Sequence, residues 1–259
     1  FMQWGTPKDL KDYKEWHNTF LKLAQPKNYS NFKMDVLIMP MAGKGQRFLN
    51  EGYLTAKPMI NISGQPMVVQ SINLLANFKN YCFVIREDIT NSKIFNNFIK
   101  KKFNNIFVKN LKKISEGQAQ TASLGLEYLN KKIVLTNQHI TFGVCDVGIL
   151  FNQHKLNALL EDKSIDLIVW SRKKTEGEIA NPKMYGWIKE RNNLIDETSI
   201  KEPFIQKNNV SIITGIFTFK NQNIFNEGYK NLIKNKSMVN GEYYLDSIID
   251  ELLKLGKKC

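Results

Sequence analysis

From residue 34 onward, the hydrophobic and polar positions of the chain alternate between two patterns. Short apolar runs rich in Val, Ile and Phe predict strands at 35–39, 81–85, 105–109, 139–145, 166–171 and 211–219. Stretches with helical spacing predict helices at 66–78, 91–103, 117–129 and 153–161, with two more closing the chain. A two-strand region is expected at 185–202. This alternation predicts a three-layer α/β/α sandwich with a mostly parallel sheet, capped at its far edge by antiparallel strands.

Residues 1–33 differ in character from the rest. Thr6 is a suitable helix cap, and the sequence predicts a helix with Pro7 at its first position and Asp9 in its first turn. An apolar stripe follows, formed by Leu10, Tyr13, Phe20 and Leu21. We therefore predict an N-terminal helical segment and linker over 1–33, and one domain over 34–259.

Composition narrows the class of protein without choosing a function. With 259 residues and 42% apolar content, the chain can build a sizeable core. It has no run of eighteen apolar residues and no pattern of a secretory signal, so we expect no membrane span and a cytoplasmic location. The three cysteines and three histidines are scattered, which disfavours a disulfide framework or a zinc site. The net charge of +13 is compatible with nucleic acid, a membrane surface or an anionic small substrate, or with solvated surface lysines alone.

One glycine-containing loop suggests chemistry. MPMAGKGQRF at 39–48 follows the first predicted strand, and open α/β sheets bind ligands at the carboxyl ends of their strands. Gly43 and Gly45 allow backbone N–H groups to approach an anion, which suits a phosphate. The loop does not contain the GxxxxGK[ST] motif. It also departs from GxGxxG, because Phe48 stands where that motif has its third glycine. A plain turn with basic surface residues remains the alternative. Three nearby cations could neutralise a triphosphate: Lys44, Arg47 and Lys57.

The stretch MAGKGQRFLNEGYLTAKPMINISGQPMV at 41–68 resembles the nucleoside-triphosphate transferases that make nucleotide-activated sugars, a family of sugar-phosphate nucleotidyltransferases. The resemblance implies a Rossmann-like mixed sheet of the nucleotide-diphospho-sugar transferase type. It also implies that Arg47 holds the β and γ phosphates of a nucleotide and that Lys57 holds the α phosphate and the departing pyrophosphate. The implied nucleotide-binding residues of this loop are Met41, Ala42, Gly43, Lys44, Gly45 and Gln46.

Further matches to the family lie downstream. EGQAQTA at 116–122 resembles the segment that contacts the base and implies nucleotide contacts by Gly117, Gln118 and Thr121, although a plain helix start reads the same way. Asp146, in FGVCDVG, falls where the family carries a magnesium-binding Asp, so the implied cofactor is Mg²⁺. A purely structural turn is the alternative for Asp146.

The segments YGWIK, SIKEP and TGIFTF resemble those that hold the acceptor. They imply acceptor-binding roles for Gly186, Lys201, Glu202, Thr214 and Gly215. Many relatives read Glu-Lys where this chain reads Lys201-Glu202, so the resemblance leaves open whether these two roles are exchanged or altered here. In GEYYLDSI at 241–248, Glu242 is either a helix cap or a substrate ligand.

The resemblance as a whole implies a Mg²⁺-dependent nucleotidyltransferase. It would transfer NMP from an NTP to a sugar phosphate or similar small phosphorylated metabolite, for capsule or lipopolysaccharide biosynthesis. We expect no nucleic-acid or membrane partner and allow a homodimer. Two alternatives remain open: a nucleotide-binding module without catalysis, and a nucleic-acid-binding protein.

The opening phrase FMQWGTPKDLKDYKEW resembles a phrase that normally comes near the end of the same family's domain. There it carries a second magnesium-binding Asp two residues before the Gly, a position held here by Gln3. We expect residues 1 to about 25 to be the tail of a preceding domain or a permuted closing element. In either case its apolar stripe needs a surface to cover it.

Deletion of residues 1–30 is therefore expected to lower the melting temperature or to expose an aggregation-prone surface. Thermal unfolding and size-exclusion chromatography of the deletion variant measure both effects. A variant as stable, monodisperse and active as the full chain would refute packing of this segment on the domain.

Overall fold

The computed structural model describes residues 17, 19–21, 32–87, 91–174, 181–204 and 209–259. The strands are β1 Lys33–Met41, β2 Asn61–Ile62, β3 Gln65–Pro66, β4 Asn77–Arg86, β5 Ile106–Leu111, β6 Ile140–Phe142, β7 Leu167–Lys173, β8 Gly186–Arg191, β9 Leu194–Ile200 and β10 Val210–Phe219. The helices are α1 Gln46–Asn50, α2 Met67–Asn73, α3 Ser92–Lys100, α4 Gln118–Asn130, α5 Gln153–Glu161, α6 Gln222–Lys234 and α7 Asp246–Lys254. Within the described ranges, no helix has the length and apolar character needed to cross a bilayer.

The main sheet has eight strands in the order β5-β4-β1-β6-β10-β8-β9, with β7 also paired to β10. Strand β1 is hydrogen-bonded on both sides by parallel strands, β4 and β6, and β5 is parallel to β4. Strand β10 is antiparallel to β6, β7 and β8, and β9 is antiparallel to β8. Only β9 and β10 thus run against the direction of the others, which confirms the mixed, mostly parallel sheet.

The side chains of β1 alternate between two helical layers. Val36 and Ile38 pack into a core shared with α4, α6 and α7, whereas Leu37 and Met39 pack into a core shared with α2, α3 and α5. All four side chains are almost fully buried. Strands buried on both faces are typical of parallel sheets covered by helices. The predicted three-layer sandwich is therefore confirmed.

Two predicted elements end earlier than their hydrophobic pattern suggested. The helix expected over 66–78 ends at Asn73, because Asn77 and Phe78 already pair with the start of β1. The strand expected over 139–145 ends at Phe142, and the chain then turns into the segment that carries Asp146. Pairing with β1 therefore accounts for the end of the helix, whereas β6 ends while β1 continues to Met41.

The amino end of β1 carries a partly buried charge cluster away from the loop. The carboxylate of Asp35 lies 2.7 Å from Nζ of Lys79 on β4 and accepts a hydrogen bond of 3.1 Å from the backbone of His139. Burial raises the pKa of Asp35, but the hydrogen bonds from His139 and Lys79 outweigh it and hold the pKa well below its usual range. The cluster therefore joins β1, β4 and the residue that precedes β6.

Most of the predicted N-terminal helix, including Leu10, Tyr13 and Gln3, lies outside the described residues. Residues 17 and 19–21 are helical, whereas the predicted cap at Thr6 lies outside the described residues. The side chains of Phe20 and Leu21 are 54% and 50% exposed. Packing of this segment on the domain stays a prediction.

Replacing Gly125 with Ala is expected to destabilise the fold. A Cβ atom added at Gly125 on α4 would lie 2.7 Å from a methyl carbon of Val84 and 2.8 Å from one of Ile38, both fully buried. Overpacking of this kind costs about 1–3 kcal/mol, more than the roughly 1 kcal/mol gained in helix propensity. Thermal unfolding should show a melting temperature lower by a few degrees. Asn130→Ala, at an exposed position of the same helix, is the control, and an equally stable Gly125→Ala variant would contradict this packing.

Candidate functional site

A cavity of about 1030 Å³ opens at the carboxyl ends of β1 and β6. Its lining combines segments that are far apart in the chain. Of the residues predicted from the sequence, it includes Met41, Ala42, Gly43, Gly45, Gln46, Arg47, Lys57, Gly117, Gln118, Thr121, Asp146 and Lys201. The other predicted residues do not line it: Lys44, Gly186, Glu202, Thr214 and Gly215. The fold therefore brings most of the predicted nucleotide-binding residues to this one cavity.

The loop after β1 is shaped by contact with Lys57. Gly45 has a φ of +65°, in the left-handed region, and a Cβ atom added there would lie 3.1 Å from Cβ of Lys57. The short helix α1 follows and has no buried residue. Arg47 on α1 is exposed and lines the cavity, so its guanidinium is available to an anion.

Lys57 and Asp146 form an ion pair inside the cavity. Nζ of Lys57 lies 2.5 Å from Oδ2 of Asp146, and the two side chains are 28% and 39% exposed. The Lys57 ammonium also lies 6.0 Å from the ring centroid of Phe48. An ion pair this exposed contributes about 0–1 kcal/mol. Breaking this ion pair therefore costs little free energy, and a phosphate can replace Asp146 as the partner of Lys57.

The start of α4 is tied to the segment between α6 and α7. Gly117 has a φ of +124°, and a Cβ atom added there would lie 2.6 Å from both N and O of Tyr243. The backbone of Tyr243 donates to O of Glu116 at 2.8 Å and accepts from N of Ala119 at 2.9 Å. The close approach of the Tyr243 backbone therefore leaves no room for a side chain at Gly117. This reason for the glycine was not apparent from the sequence. This contact brings Glu242 and Tyr244 to the cavity wall.

The wall near the predicted acceptor residues carries a strained lysine. Lys201 has a φ of +66°, which is uncommon for a residue other than glycine. Its ammonium donates to O of Met184 at 2.8 Å and lies 5.6 Å from the ring centroid of Tyr244. Lys201 therefore presents a fixed positive charge beside an aromatic ring.

The remaining predicted acceptor residues lie near this wall without forming it. A Cβ atom added at Gly186 would lie 2.1 Å from Oδ2 of Asp246, so this glycine makes room for the carboxylate. Thr214 donates from its hydroxyl to O of Trp170 at 2.7 Å, and Gly215 faces the side chain of Val144. Glu202 is exposed. Their acceptor-binding roles stay predictions.

Glu242 does not cap α7. The helix begins at Asp246, its N-cap is Leu245, and no side chain forms a cap hydrogen bond there. Glu242 instead lines the cavity together with Tyr244. The sequence had pointed to this phrase, but not to Tyr244.

The residues near Asp146 fit a magnesium ion that is shared with a substrate. Asp146 supplies a carboxylate, and among the described residues no group of three or more His, Cys, Asp or Glu side chains is arranged around a metal. Mg²⁺ is commonly held by one or two carboxylates together with substrate phosphates. Burial raises the pKa of the neighbouring Cys145 thiol to about 12. Because Mg²⁺ takes oxygen ligands, the carboxylate of Asp146 is the group of this turn that suits it.

Comparison with solved structures places this fold. No protein-family model and no curated protein matches the chain. A nucleoside-diphosphate-sugar pyrophosphorylase from Vibrio cholerae RC9 is similar, with a TM-score of 0.69 and 22% identity over 86% of this chain and 89% of that chain. An inositol-1-phosphate CTP transferase from T. maritima gives a TM-score of 0.62 and 15% identity over 87% and 83%. A UDP-glucose pyrophosphorylase complexed with UDP-glucose gives 0.62 and 18% over 88% and 89%.

At these identities the shared property is the architecture. The chain has the nucleotide-diphospho-sugar transferase fold, as its resemblance to the sugar-phosphate nucleotidyltransferases implied. Its chemistry has to be argued from its own site.

Replacing Asp246 with Asn is expected to stabilise the protein at neutral and alkaline pH. Burial raises the pKa of Asp246 to about 6, and the charge of Lys201 opposes that rise only in part. At pH 3, below the unfolded-state pKa of 3.8, this carboxyl is mostly protonated in both folded and unfolded states, so wild type and variant should differ little. As pH rises through 3.8 towards 6, the unfolded chain ionises first and the wild type loses on the order of 1–3 kcal/mol. Melting temperatures at pH 3 and pH 8 test this, and a variant that is less stable than wild type at pH 8 would contradict it.

Proposed function

We propose that the protein is a nucleotidyltransferase that transfers a nucleoside monophosphate from an NTP to a sugar phosphate. The observation that carries the proposal is that Arg47, Lys57 and Asp146 line one cavity together with the glycine-containing loop after β1. Two cations and one carboxylate at this edge of the sheet suit a triphosphate and a magnesium ion. The structures of the same fold include a UDP-glucose pyrophosphorylase and an inositol-1-phosphate CTP transferase.

In the proposed reaction, an oxygen of the acceptor phosphate attacks the α-phosphorus of the NTP. A new P–O bond forms there, and the bond from the α-phosphorus to the bridging oxygen breaks, so pyrophosphate leaves. No protein nucleophile is required, and catalysis rests on positioning and on charge neutralisation. Arg47 binds the β and γ phosphates, and Lys57 binds the α phosphate and the leaving pyrophosphate.

Asp146 would hold the magnesium ion, which supplies further positive charge to the phosphates. Binding of the nucleotide gives Lys57 phosphate oxygens in place of its contact with Asp146, 2.5 Å away. Asp146 then becomes free to act as a ligand.

A sugar phosphate suits the far wall of the cavity. Lys201 supplies a charge for the acceptor phosphate, while Glu242 and Tyr244 supply a carboxylate and a phenol for hydroxyl groups. A carboxylate in a cavity that binds two anions is favourable only if it accepts hydrogen bonds from neutral groups or binds a cation. A role in capsule or lipopolysaccharide biosynthesis would follow from a nucleotide-sugar product.

Pyrophosphate release tests the proposal. The protein is incubated with Mg²⁺, with each of CTP, UTP, GTP, dTTP and ATP, and with a panel of sugar 1-phosphates and alcohol phosphates. Release is expected for at least one pair, in equal amount to an NMP-linked product. Nucleotide-dependent thermal stabilisation without turnover would instead favour a binding module. Steeply salt-dependent binding to DNA or RNA without any effect of NTPs would favour nucleic acid.

Arg47→Ala and Lys57→Ala should each lower the rate about a hundredfold or more, because each removes a preorganised charge from the transferring phosphates. Neither residue is buried, so the folded state should be retained. Steady-state rates and melting temperatures measure the two effects. Lys155→Ala, at an exposed position of α5, serves as the charge-matched control. Near-normal turnover in both site variants would remove these residues from the phosphate site.

Asp146→Asn should raise the Mg²⁺ concentration needed for half-maximal rate, because a neutral amide is a poorer ligand for a hard cation. A metal titration at saturating substrates measures the shift. Asp196→Asn, on the exposed part of β9, is the control carboxylate. An unchanged titration curve for Asp146→Asn would exclude Asp146 as the metal ligand.

A further inference from the structure

The side chain of Ser71 bridges the two ends of the turn that carries Asp146. Ser71 lies on α2 and is only 6% exposed. Its Oγ lies 2.7 Å from O of Val144 and 2.7 Å from O of Val147. A hydroxyl has a single proton, so it donates to these two carbonyls in turn or shares the proton between them. The two acceptors bracket Cys145 and Asp146.

Helix α2 also contacts the chain just beyond this turn. A Cβ atom added at Gly148 would lie 2.4 Å from Cδ1 of Leu74, the C-cap residue of α2. On the other side, a Cβ atom added at Gly215 would lie 3.0 Å from Cγ1 of Val144. The turn is therefore packed between α2 and β10, and Ser71 adds hydrogen bonds to these apolar contacts.

The direction of the Ser71 hydrogen bonds is informative. A serine inside a helix commonly donates to a carbonyl of its own preceding turn, which adds nothing to tertiary structure. Ser71 donates instead to residues 73 and 76 positions away along the chain. The turn itself belongs to no strand or helix and so lacks the regular hydrogen bonds that would fix it.

We propose that Ser71 is a positioning residue for Asp146. Its hydroxyl fixes the turn so that the carboxylate of Asp146 points into the cavity and meets Lys57. Ser71 itself does not line the cavity, so it acts through the turn and not on substrate. This inference rests on the proposed function where it treats Asp146 as the magnesium ligand.

Ser71→Ala should increase the Mg²⁺ concentration for half-maximal rate by about tenfold, the lower end of what loss of a ligand's supporting partner causes. The KM for the NTP should change much less, because the loop at 42–47 and Lys57 are untouched. A serine that only fills space would not separate these two effects. Ser123→Ala is the matched control, since Ser123 is also helical and 6% exposed but lies on α4.

Two further variants distinguish the effect of the Ser71 hydroxyl from the effect of side-chain volume. Thr and Val have nearly the same shape, but only Thr carries a hydroxyl. Ser71→Thr should retain the wild-type metal titration, and Ser71→Val should resemble Ser71→Ala. Equal behaviour of the Thr and Val variants would show that packing, and not the hydrogen bonds, is what matters.

Amide hydrogen exchange measured by mass spectrometry tests whether Ser71 restrains the turn, and it does not depend on turnover. Exchange in peptides covering 143–149 should be faster in Ser71→Ala than in wild type, with β1 unchanged. Unaltered exchange in 143–149 would overturn the proposal. If wild type releases no pyrophosphate with any substrate pair, the proposed function fails, while the exchange comparison still decides whether Ser71 holds the turn.

Discussion

The pairing of β1 with parallel strands on both sides is the constraint on which the site depends. Because β4 and β6 run in the same direction as β1, the carboxyl ends of these strands meet at one edge of the sheet. The loop at 42–45 and the turn that carries Asp146 leave this edge from adjacent strands. Lys57 and Asp146, which are 89 positions apart in the chain, are thereby held close enough to touch. The burial of β1 on both faces fixes that arrangement.

Substrates can rearrange the charged side chains of the cavity. The ion pair between Lys57 and Asp146 is partly exposed and therefore contributes little to stability. In contrast, the backbone contacts between Gly117 and Tyr243 are tight and leave no room for a side chain. The walls are thus fixed by backbone packing, while the groups proposed to meet phosphate and metal remain free to change partners. Such a division suits a reaction that depends on positioning and charge neutralisation.

The sequence predicted the fold well because local periodicity marks most strands and helices directly. It misjudged the end of α2, where pairing with β1 draws Asn77 and Phe78 into β4. It also misjudged the end of β6, where the chain turns away after Phe142. For the site, two separate matches to the family pointed to Arg47 and Lys57 and to Asp146, and the structure brings all three to one cavity. The contacts of Gly117 with Tyr243, of Gly186 with Asp246 and of Ser71 with the turn join distant segments. No local pattern encodes such contacts, so they required the structure.

A crystal structure with Mg²⁺ and an NTP whose α,β-bridging oxygen is replaced by a methylene group would test the central claim most directly. We predict that the triphosphate lies between the loop at 42–47 and Lys57, and that Nζ of Lys57 moves from its 2.5 Å contact with Asp146 onto a phosphate oxygen. The metal ion would then contact Asp146. A nucleotide bound elsewhere, or one bound here with the ion pair between Lys57 and Asp146 intact, would contradict the account.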